Sequence, residues 1–366
     1  MDAVKATGLS FAEQDIFVGL DVHRKFWTVS IHTPFFEHKT FNQPPQPDVL
    51  VRYLHRFFPD ARYHAAYEAG YSGFWICEGL KAAGVNVIVI NPADVPTKDK
   101  ERTYKRNSVD ARKLARELRS GSLEPIYVPS RQELEDRSLV RTRGALIKKQ
   151  TRVKNQIKAF LAFYGVALPA KTDRYWSASF IDWLGRLSTL GADPSSMQSE
   201  SGAQALRLYV EELLQLRRQI LDVTRAIRRL SRTERYRRWA DLLVTLYGIG
   251  PLGAMMLLTE LIDINRFPRS DDLAGFVGLI PSSDGSGEDE YQKNLTPRRS
   301  PRLRHLLIES AWVAVRKDPR LMQDFHSLTR RMKHNQAIIR IARKQLNRIR
   351  YVLKNEAPYV SMPLAA

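Results

Sequence analysis

Three carboxylates in the first third of the chain have the placement that metal-dependent phosphate chemistry needs. Asp21 closes the first predicted strand, Glu68 closes a later one, and Asp110 falls in the first turn of the helix that follows the apolar run Val85 to Ile90. Carboxylates that converge from separate elements bind magnesium, a hard cation that takes oxygen ligands. Two such ions about 4 Å apart activate a nucleophile and stabilise the leaving oxygen in phosphoryl transfer. Each residue alone has a plainer role: Asp at a strand end is a common turn former, and Asp110 offsets the dipole at a helix start. Far along the chain, Ser286-Gly287 lies in a loop of small polar residues, with Ser282 and Ser283 nearby. Alone it reads as a loop serine, because a hydroxyl attacks only when a base, a metal or neighbouring cations activate it. Arg298, Arg299, Arg302 and Arg304 follow closely and are spaced to clamp a phosphate. Gly248-Ile249-Gly250 joins two apolar helical stretches. It reads either as a turn whose amides approach a phosphate ahead of a helix N-terminus or as a plain tight helical turn.

The elements that must position the carboxylates read as α/β. Ile16 to Leu20 is a short apolar strand, Trp27 to His32 alternates as a half-buried strand does, and Phe35 to Phe41 supplies a third. Val49 to Phe57 has helical spacing. Tyr63 to Tyr67 is a strand ending at Glu68, and a helix follows from Ser72 to Ala83. The continuous apolar run Val85 to Ile90 predicts a central parallel strand. Asp94 to Arg106 reads as a loop, Ser108 to Ser120 as a helix stopped by Gly121, and Ile126 to Val128 as a short last strand. Strands first, then alternating strand and helix, is the order of a ribonuclease-H-like domain, in which the places of Asp21, Glu68 and Asp110 meet at one sheet edge.

Beyond this domain the chain turns helical and basic. Gln132 to Tyr164 spaces Leu139, Leu146, Val153, Ile157 and Phe160 along one helix face. Arg141, Arg143, Lys148, Lys149, Arg152, Lys154 and Lys158 occupy the others. A second long basic helix runs from Gln204 to Arg237, and together they suggest a coiled-coil arm around an insert rich in Ser and Gly. A compact, mostly helical unit begins near Trp239, with a helix from Pro301 to Arg316. A basic helical tail carries Arg340, Arg343, Lys344, Arg348 and Arg350, with residues after Pro358 expected to fray. The expected division is 1–130, 131–237, 238–330 and 331–366.

The 366 residues suggest several domains, and 43% hydrophobic content is enough to build their cores. A net charge of +19 favours a polyanionic partner, nucleic acid ahead of a membrane surface, because the basic residues are spread out with no cluster beside an apolar span. Leu242 to Thr259 lacks charge, but Gly248 to Pro251 interrupts it, so two short buried helices are expected in place of a membrane span. The one cysteine, Cys77, sits in an apolar stretch and reads as a core residue; a disulfide within the chain and a zinc cluster are excluded. No signal peptide pattern opens the sequence.

The segments Val18-Gly-Leu-Asp21-Val-His-Arg-Lys, Tyr67-Glu68-Ala-Gly, Val89-Ile-Asn-Pro-Ala-Asp94 and Asn107-Ser-Val-Asp110-Ala-Arg-Lys-Leu-Ala resemble the RuvC-like domain of the insertion-sequence-110 family of DEDD transposases. Leu246-Tyr-Gly-Ile-Gly-Pro251, Phe276-Val-Gly-Leu-Ile-Pro281, Ser286-Gly287 and the run Leu303 to Trp312 resemble its C-terminal domain. The resemblance implies a transposase that cuts and rejoins DNA, with magnesium held at four positions: Asp21, Glu68, Asn107 and Asp110. Asn107 stands where the family has a carboxylate, and Asp99 or Glu101 in the preceding loop is the candidate substitute. It further implies Ser286 as a nucleophile forming a phosphoserine link. The expected partners are donor and target DNA, a structured bridge RNA and further copies of the chain, as a dimer or tetramer. The expected location is the bacterial cytoplasm, at the nucleoid. Thr296-Pro-Arg-Arg-Ser300 replaces the family's usual Ser-Lys and Gly-Asn stretch and keeps its cationic character. Expected nucleic-acid contacts are Arg141, Lys148, Arg152, Lys154, Lys158, Gly248, Gly250, Arg298, Arg299, Arg302 and Arg304. The alternatives are a catalytically weakened binding protein and a RuvC-like nuclease that needs no serine.

Overall fold

The computed structural model describes residues 11–95, 107–169, 176–284, 291–295 and 300–361. The chain divides into two compact units, Met1–Val128 and Pro129–Ala366.

The first unit is a five-stranded sheet with strand order β3-β2-β1-β4-β5: β1 is Asp15–Val22, β2 Trp27–His32, β3 Glu37–Gln43, β4 Arg62–Glu68 and β5 Asn86–Ile90. β1, β2 and β3 are antiparallel neighbours, while β1–β4 and β4–β5 run parallel. The alternation of β1 divides its side chains between two faces. Ile16, Val18 and Leu20 are fully buried in a core with Leu50 and Leu54 of α1 (Pro47–Phe57) and Ile76, Cys77 and Leu80 of α2 (Trp75–Ala82). The other face receives α3 (Asn107–Ser120), whose Ala111, Leu114 and Ala115 are buried. Gly121, at φ +72°, stops that helix as expected.

Four details differ from the sequence reading. The run ending at Ile90 is parallel but forms the sheet's edge, not its centre. Its apolarity comes from cover: the amide of Ile126 donates to the Val89 carbonyl at 2.8 Å and Ile90 bridges Pro125, so Ile126 to Val128 caps this edge without forming a strand of its own. β3 begins at Glu37 because Phe35 and Phe36 stand exposed in the preceding turn, where Thr33 Oγ1 accepts from both of their amides. The helix expected from Ser72 begins at Trp75, after a turn in which Gly73 N donates to Gly70 O. Asp94, first in the span read as a loop, is the last residue of a 3-10 turn at Pro92–Asp94; residues 96–106, with Asp99 and Glu101, lie outside the described residues.

The second unit opens with α4 (Arg131–Phe163), started by a capping box in which Ser130 and Glu133 exchange side-chain and backbone hydrogen bonds. It packs against α6 (Glu200–Leu230). Val153, Ile157 and Leu161 of α4 meet Leu206, Leu213 and Leu216 of α6. The insert contributes α5 (Ala178–Leu187), whose Phe180, Leu184 and Leu187 complete that core. The second long helix ends at Leu230, not Arg237, because Ser231 and Thr233 turn their hydroxyls back to Arg228 O and Leu230 O. A new helix, α7 (Glu234–Val244), follows, then α8 (Pro251–Leu261) and α9 (Ser270–Val277). The uncharged stretch is thus two short helices about a tight turn, and among the described residues no helix is long and apolar enough to cross a membrane. The strands β6 (Pro281–Asp284) and β7 (Tyr291–Leu295) pair antiparallel. α10 (Pro301–Lys317), α11 (Pro319–Thr329) and α12 (His334–Asn355) complete the unit. α12 buries Ile338, Ile341, Leu346 and Ile349 in the core shared by α7, α8 and α10. The chain does not fray at Pro358: Tyr359 N donates to Thr245 Oγ1 and its hydroxyl donates to Asp318.

Candidate active site

The site in the first unit begins at Gly19. A Cβ there would lie 2.1 Å from Ala111 O and 2.4 Å from Ala115 N. α3 therefore rests directly on the backbone of β1, an approach that only glycine permits. Asp21 is two residues on, so it shares Gly19's face of the sheet. Gly19 is in register with Ala66 of β4, so Glu68, two residues past Ala66, shares that face as well. On α3, Leu114 packs its Cβ against Gly19, and Asp110, one turn earlier, stands nearer the ends of the strands. Asn107 and Asp110, three apart, share a helix face.

These placements meet in one cleft of about 210 Å³, lined by Asp21, Glu68, Asn107 and Asp110 together with Leu20, Val22, His23, Leu114 and the turn Ala69 to Ser72. The side chains of the DEDD-type positions thus converge in a single cavity over the carboxyl ends of β1 and β4, beneath the first turn of a 14-residue helix. The donors are three carboxylates and an amide, the oxygen set that a hard divalent cation takes. Among the described residues, no three His, Cys, Asp or Glu side chains are grouped tightly enough to cage an ion as they stand.

His23 was not singled out in the sequence. Its Nε2 lies 3.0 Å from Asp21 Oδ2, and it shares the cleft. The spacing Asp-x-His at a strand end was the available signal, because side chains two apart on extended backbone point the same way. Tyr71 was missed too. It lines the cleft, and its hydroxyl donates to Val22 O at 3.3 Å.

The expected nucleic-acid contacts of the second unit have varied settings. Lys148 and Arg152 are exposed on α4, and Arg302 is exposed at the start of α10. Lys154 lies 5.6 Å over the Trp176 ring, where burial and then Arg217 lower its pKa. Lys158 and Arg304 are half-buried. Arg141 is tied to a buried carboxylate, in a bidentate pair with Glu260 at 2.8 and 2.7 Å; its own side chain is 43% exposed and that of Glu260 5%. Gly248 has φ +84°, and a Cβ there would lie 2.5 Å from Ser310 O; Gly250 faces open space. Ser286, Arg298 and Arg299 lie outside the described residues.

Known proteins resemble this chain over most of its length. Residues 18–166 match the DEDD transposase profile of the IS110 type, and residues 240–327 match the profile described as Transposase IS116/IS110/IS902 family. The protein y4rJ of Sinorhizobium fredii, described as a transposase, is 28% identical over 330 residues, covering 83% of this chain and 81% of its own. The transposase for insertion sequence element IS1533 of Leptospira borgpetersenii is 25% identical, covering 82% and 85%. The transposase for element IS1111A of Coxiella burnetii is 23% identical, covering 75% and 73%. With its carboxylate cleft inside the first matched region, and the second matched region spanning α7 to α11, the chain belongs to the IS110 family of insertion-sequence transposases.

Proposed function

We propose that the cleft of the first unit is the DNA-cleaving centre of a magnesium-dependent recombinase, and that Ser286 is the nucleophile which carries the cut strand as a phosphoserine. The supporting observation is the convergence of Asp21, Glu68, Asn107 and Asp110 on one cavity. Asp21, Glu68 and Asp110 would hold the metal, with the Asn107 amide oxygen as a neutral donor. Bound there, magnesium supplies Lewis-acid stabilisation of the phosphate oxygens. The chain's own share is orientation. Gly19 lets α3 sit low on the sheet so that the Asp110 carboxylate overhangs the ends of β1 and β4, and His23 holds one oxygen of Asp21. Attack of the Ser286 hydroxyl on phosphorus would form the serine–phosphate bond, break the bond to the leaving sugar oxygen and conserve the bond energy for rejoining. The long basic helices α4 and α6 suit the backbone of a structured guide RNA, and self-association as a dimer or tetramer would bring Ser286 of one copy to the cleft of another. Arg302, which is exposed, would hold a DNA phosphate.

A second reading draws on Asn107: an amide brings no charge, so a chain that binds nucleic acid with little cleavage is the alternative. The test is to incubate the full chain with magnesium, element-end DNA, target DNA and RNA transcribed from the flanking non-coding region, and to look for a covalent protein–DNA adduct. The expected result is an adduct that needs RNA and is lost in Ser286→Ala and Asp21→Ala. Cleavage without an adduct, surviving Ser286→Ala, would leave a plain nuclease. Binding alone would leave the weakened protein.

A further inference from the structure

Each carboxylate-bearing strand of the cleft is followed at once by a turn, and the two turns carry complementary chemistry. After Asp21, His23 N donates to Phe26 O at 3.1 Å and closes a tight hairpin turn with Arg24 and Lys25 at its tip. Both cations are exposed, and neither makes an ion pair among the described residues. After Glu68, the turn Gly70 to Gly73 presents Tyr71, whose side chain is that of a large aromatic residue left 69% exposed. Its orientation is fixed at both levels: the Tyr71 hydroxyl donates to Val22 O, and the buried Tyr67 hydroxyl donates to Gly73 O at 3.1 Å. Trp75, at the start of α2, is 47% exposed and lies 5.9 Å from the ring of Trp27, which is in register with Val22. Tyr71, Arg24 and Lys25 thus gather at the end of the sheet where the cleft opens, whereas Trp75 stands with Trp27 on the face that packs against α1 and α2.

We propose that Tyr71, Arg24 and Lys25 form a single-strand landing at the mouth of the cleft, in which a nucleobase stacks on Tyr71 while Arg24 and Lys25 hold the adjoining phosphates. Aromatic faces interleaved with cations are the standard means of holding single-stranded nucleic acid without regard to sequence. An aromatic ring pinned by its own hydroxyl and left open to solvent presents its face with little ordering left to do. Because Tyr71 lines the same cleft as Asp21 and Glu68, a strand seated on it would lead toward those carboxylates. The occupant is the DNA strand being cut, a choice that rests on the reading of the cleft as the cleavage centre and on the chain's net charge of +19.

The test uses the full chain in chelator, so that cutting plays no part, with a single-stranded oligothymidine bearing 5-iodouracil, a photoprobe that links to the ring it stacks on. Cross-links should map to Tyr71, and Tyr71→Leu should lower their yield about tenfold, the scale of one lost stacking contact. Tyr71→Phe should retain most of it. The double change Arg24→Ala and Lys25→Ala should make the slope of log affinity against log salt shallower by about 1.4, two phosphates at about 0.7 each. Tyr71→Leu should leave that slope unchanged. Asp21→Ala should lose cleavage and keep the cross-link, which separates failure of the cleavage reading from failure of the landing. Cross-links confined to the second unit, in equal yield from Tyr71→Leu, would overturn the proposal.

Discussion

Gly19 and Gly248 both sit where another backbone comes too close for a side chain, and the two regions put that closeness to different use. At Gly19 it lowers α3 onto β1 and so delivers Asp110 and Asn107 to the strand ends that carry Asp21 and Glu68. At Gly248 it docks the turn between α7 and α8 against Ser310 of α10, and the result is a packed joint. The charged residues divide in the same way. Those of the first region line an open cleft, whereas Arg141–Glu260 and Arg348–Asp318 in the second pair across a core with carboxylates 5% and 0% exposed. A residue type that suggests chemistry does so only when the element next to it leaves it facing outward.

Gly19→Ala is the harshest way to break this contrast. Its methyl would meet two backbone atoms of α3 at 2.1 and 2.4 Å, and a helix backbone has no rotamer to give. The expected loss is about 3 kcal/mol or more, at the upper end of overpacking costs, read as a lowered midpoint in thermal unfolding. The same change should abolish adduct formation even below that midpoint, because α3 must rise and take Asp110 with it. A fully stable Gly19→Ala would mean that α3 is not what sets the cleft.

The glycine turn of the second region sharpens the contrast from the other side. Gly248→Ala combines a left-handed φ, at about 1–2 kcal/mol, with a clash at Ser310 O, so a cost of about 2–4 kcal/mol is expected. Gly250→Ala places its methyl in open space on extended backbone and should change stability by less than about 0.5 kcal/mol. Fluorescence anisotropy with duplex DNA then decides what the turn is for. Unchanged affinity in Gly250→Ala leaves a structural joint, and weakened affinity at unchanged stability makes the Gly250 amide a phosphate contact.

The first region was the more legible. Short strands with clear alternation ended at carboxylates, and β2 spans Trp27–His32 as read. The meeting of Asp21, Glu68 and Asp110 in one cleft followed from two strand ends and a helix start, once the element order was read as ribonuclease-H-like. What the sequence hid was distance. Nothing in the run Val85 to Ile90 says that a later segment, not another strand, covers its edge. Nothing around Arg141 announces a partner 119 residues away, so its outward role could not be told from an inward one. The long helix read through Ser231 to Thr233 because its charged, apolar-periodic pattern continues there, while the break is made by hydroxyl-to-backbone bonds that periodicity does not register.

The C-terminal helix shows the inward use of charge most plainly, and its expected effect is smaller than that at either crowded glycine. Arg348 reaches Asp318 at 2.7 Å, the Tyr359 hydroxyl donates to the same oxygen, and Leu321 N donates to the other as the cap of α11. Burial alone would raise the pKa of Asp318, but the hydrogen bonds from Tyr359 and Leu321 and the Arg348 charge outweigh it and hold the carboxyl below its usual 3.8, while the Tyr359 phenol is pushed up to about 12. A carboxylate depressed in the folded state adds stability that is complete above its unfolded pKa and is lost as pH falls through the folded one. The second region should therefore weaken below about pH 4, and Asp318→Asn should flatten that part of the profile. Tyr359→Phe, which removes one bond to a charged acceptor, should cost about 1.5 kcal/mol at neutral pH and leave adduct formation unaltered at low temperature. A Tyr359→Phe protein as stable as the parent would show that the last residues are not anchored through Asp318, and that the inward pairing of this region stops at Arg348.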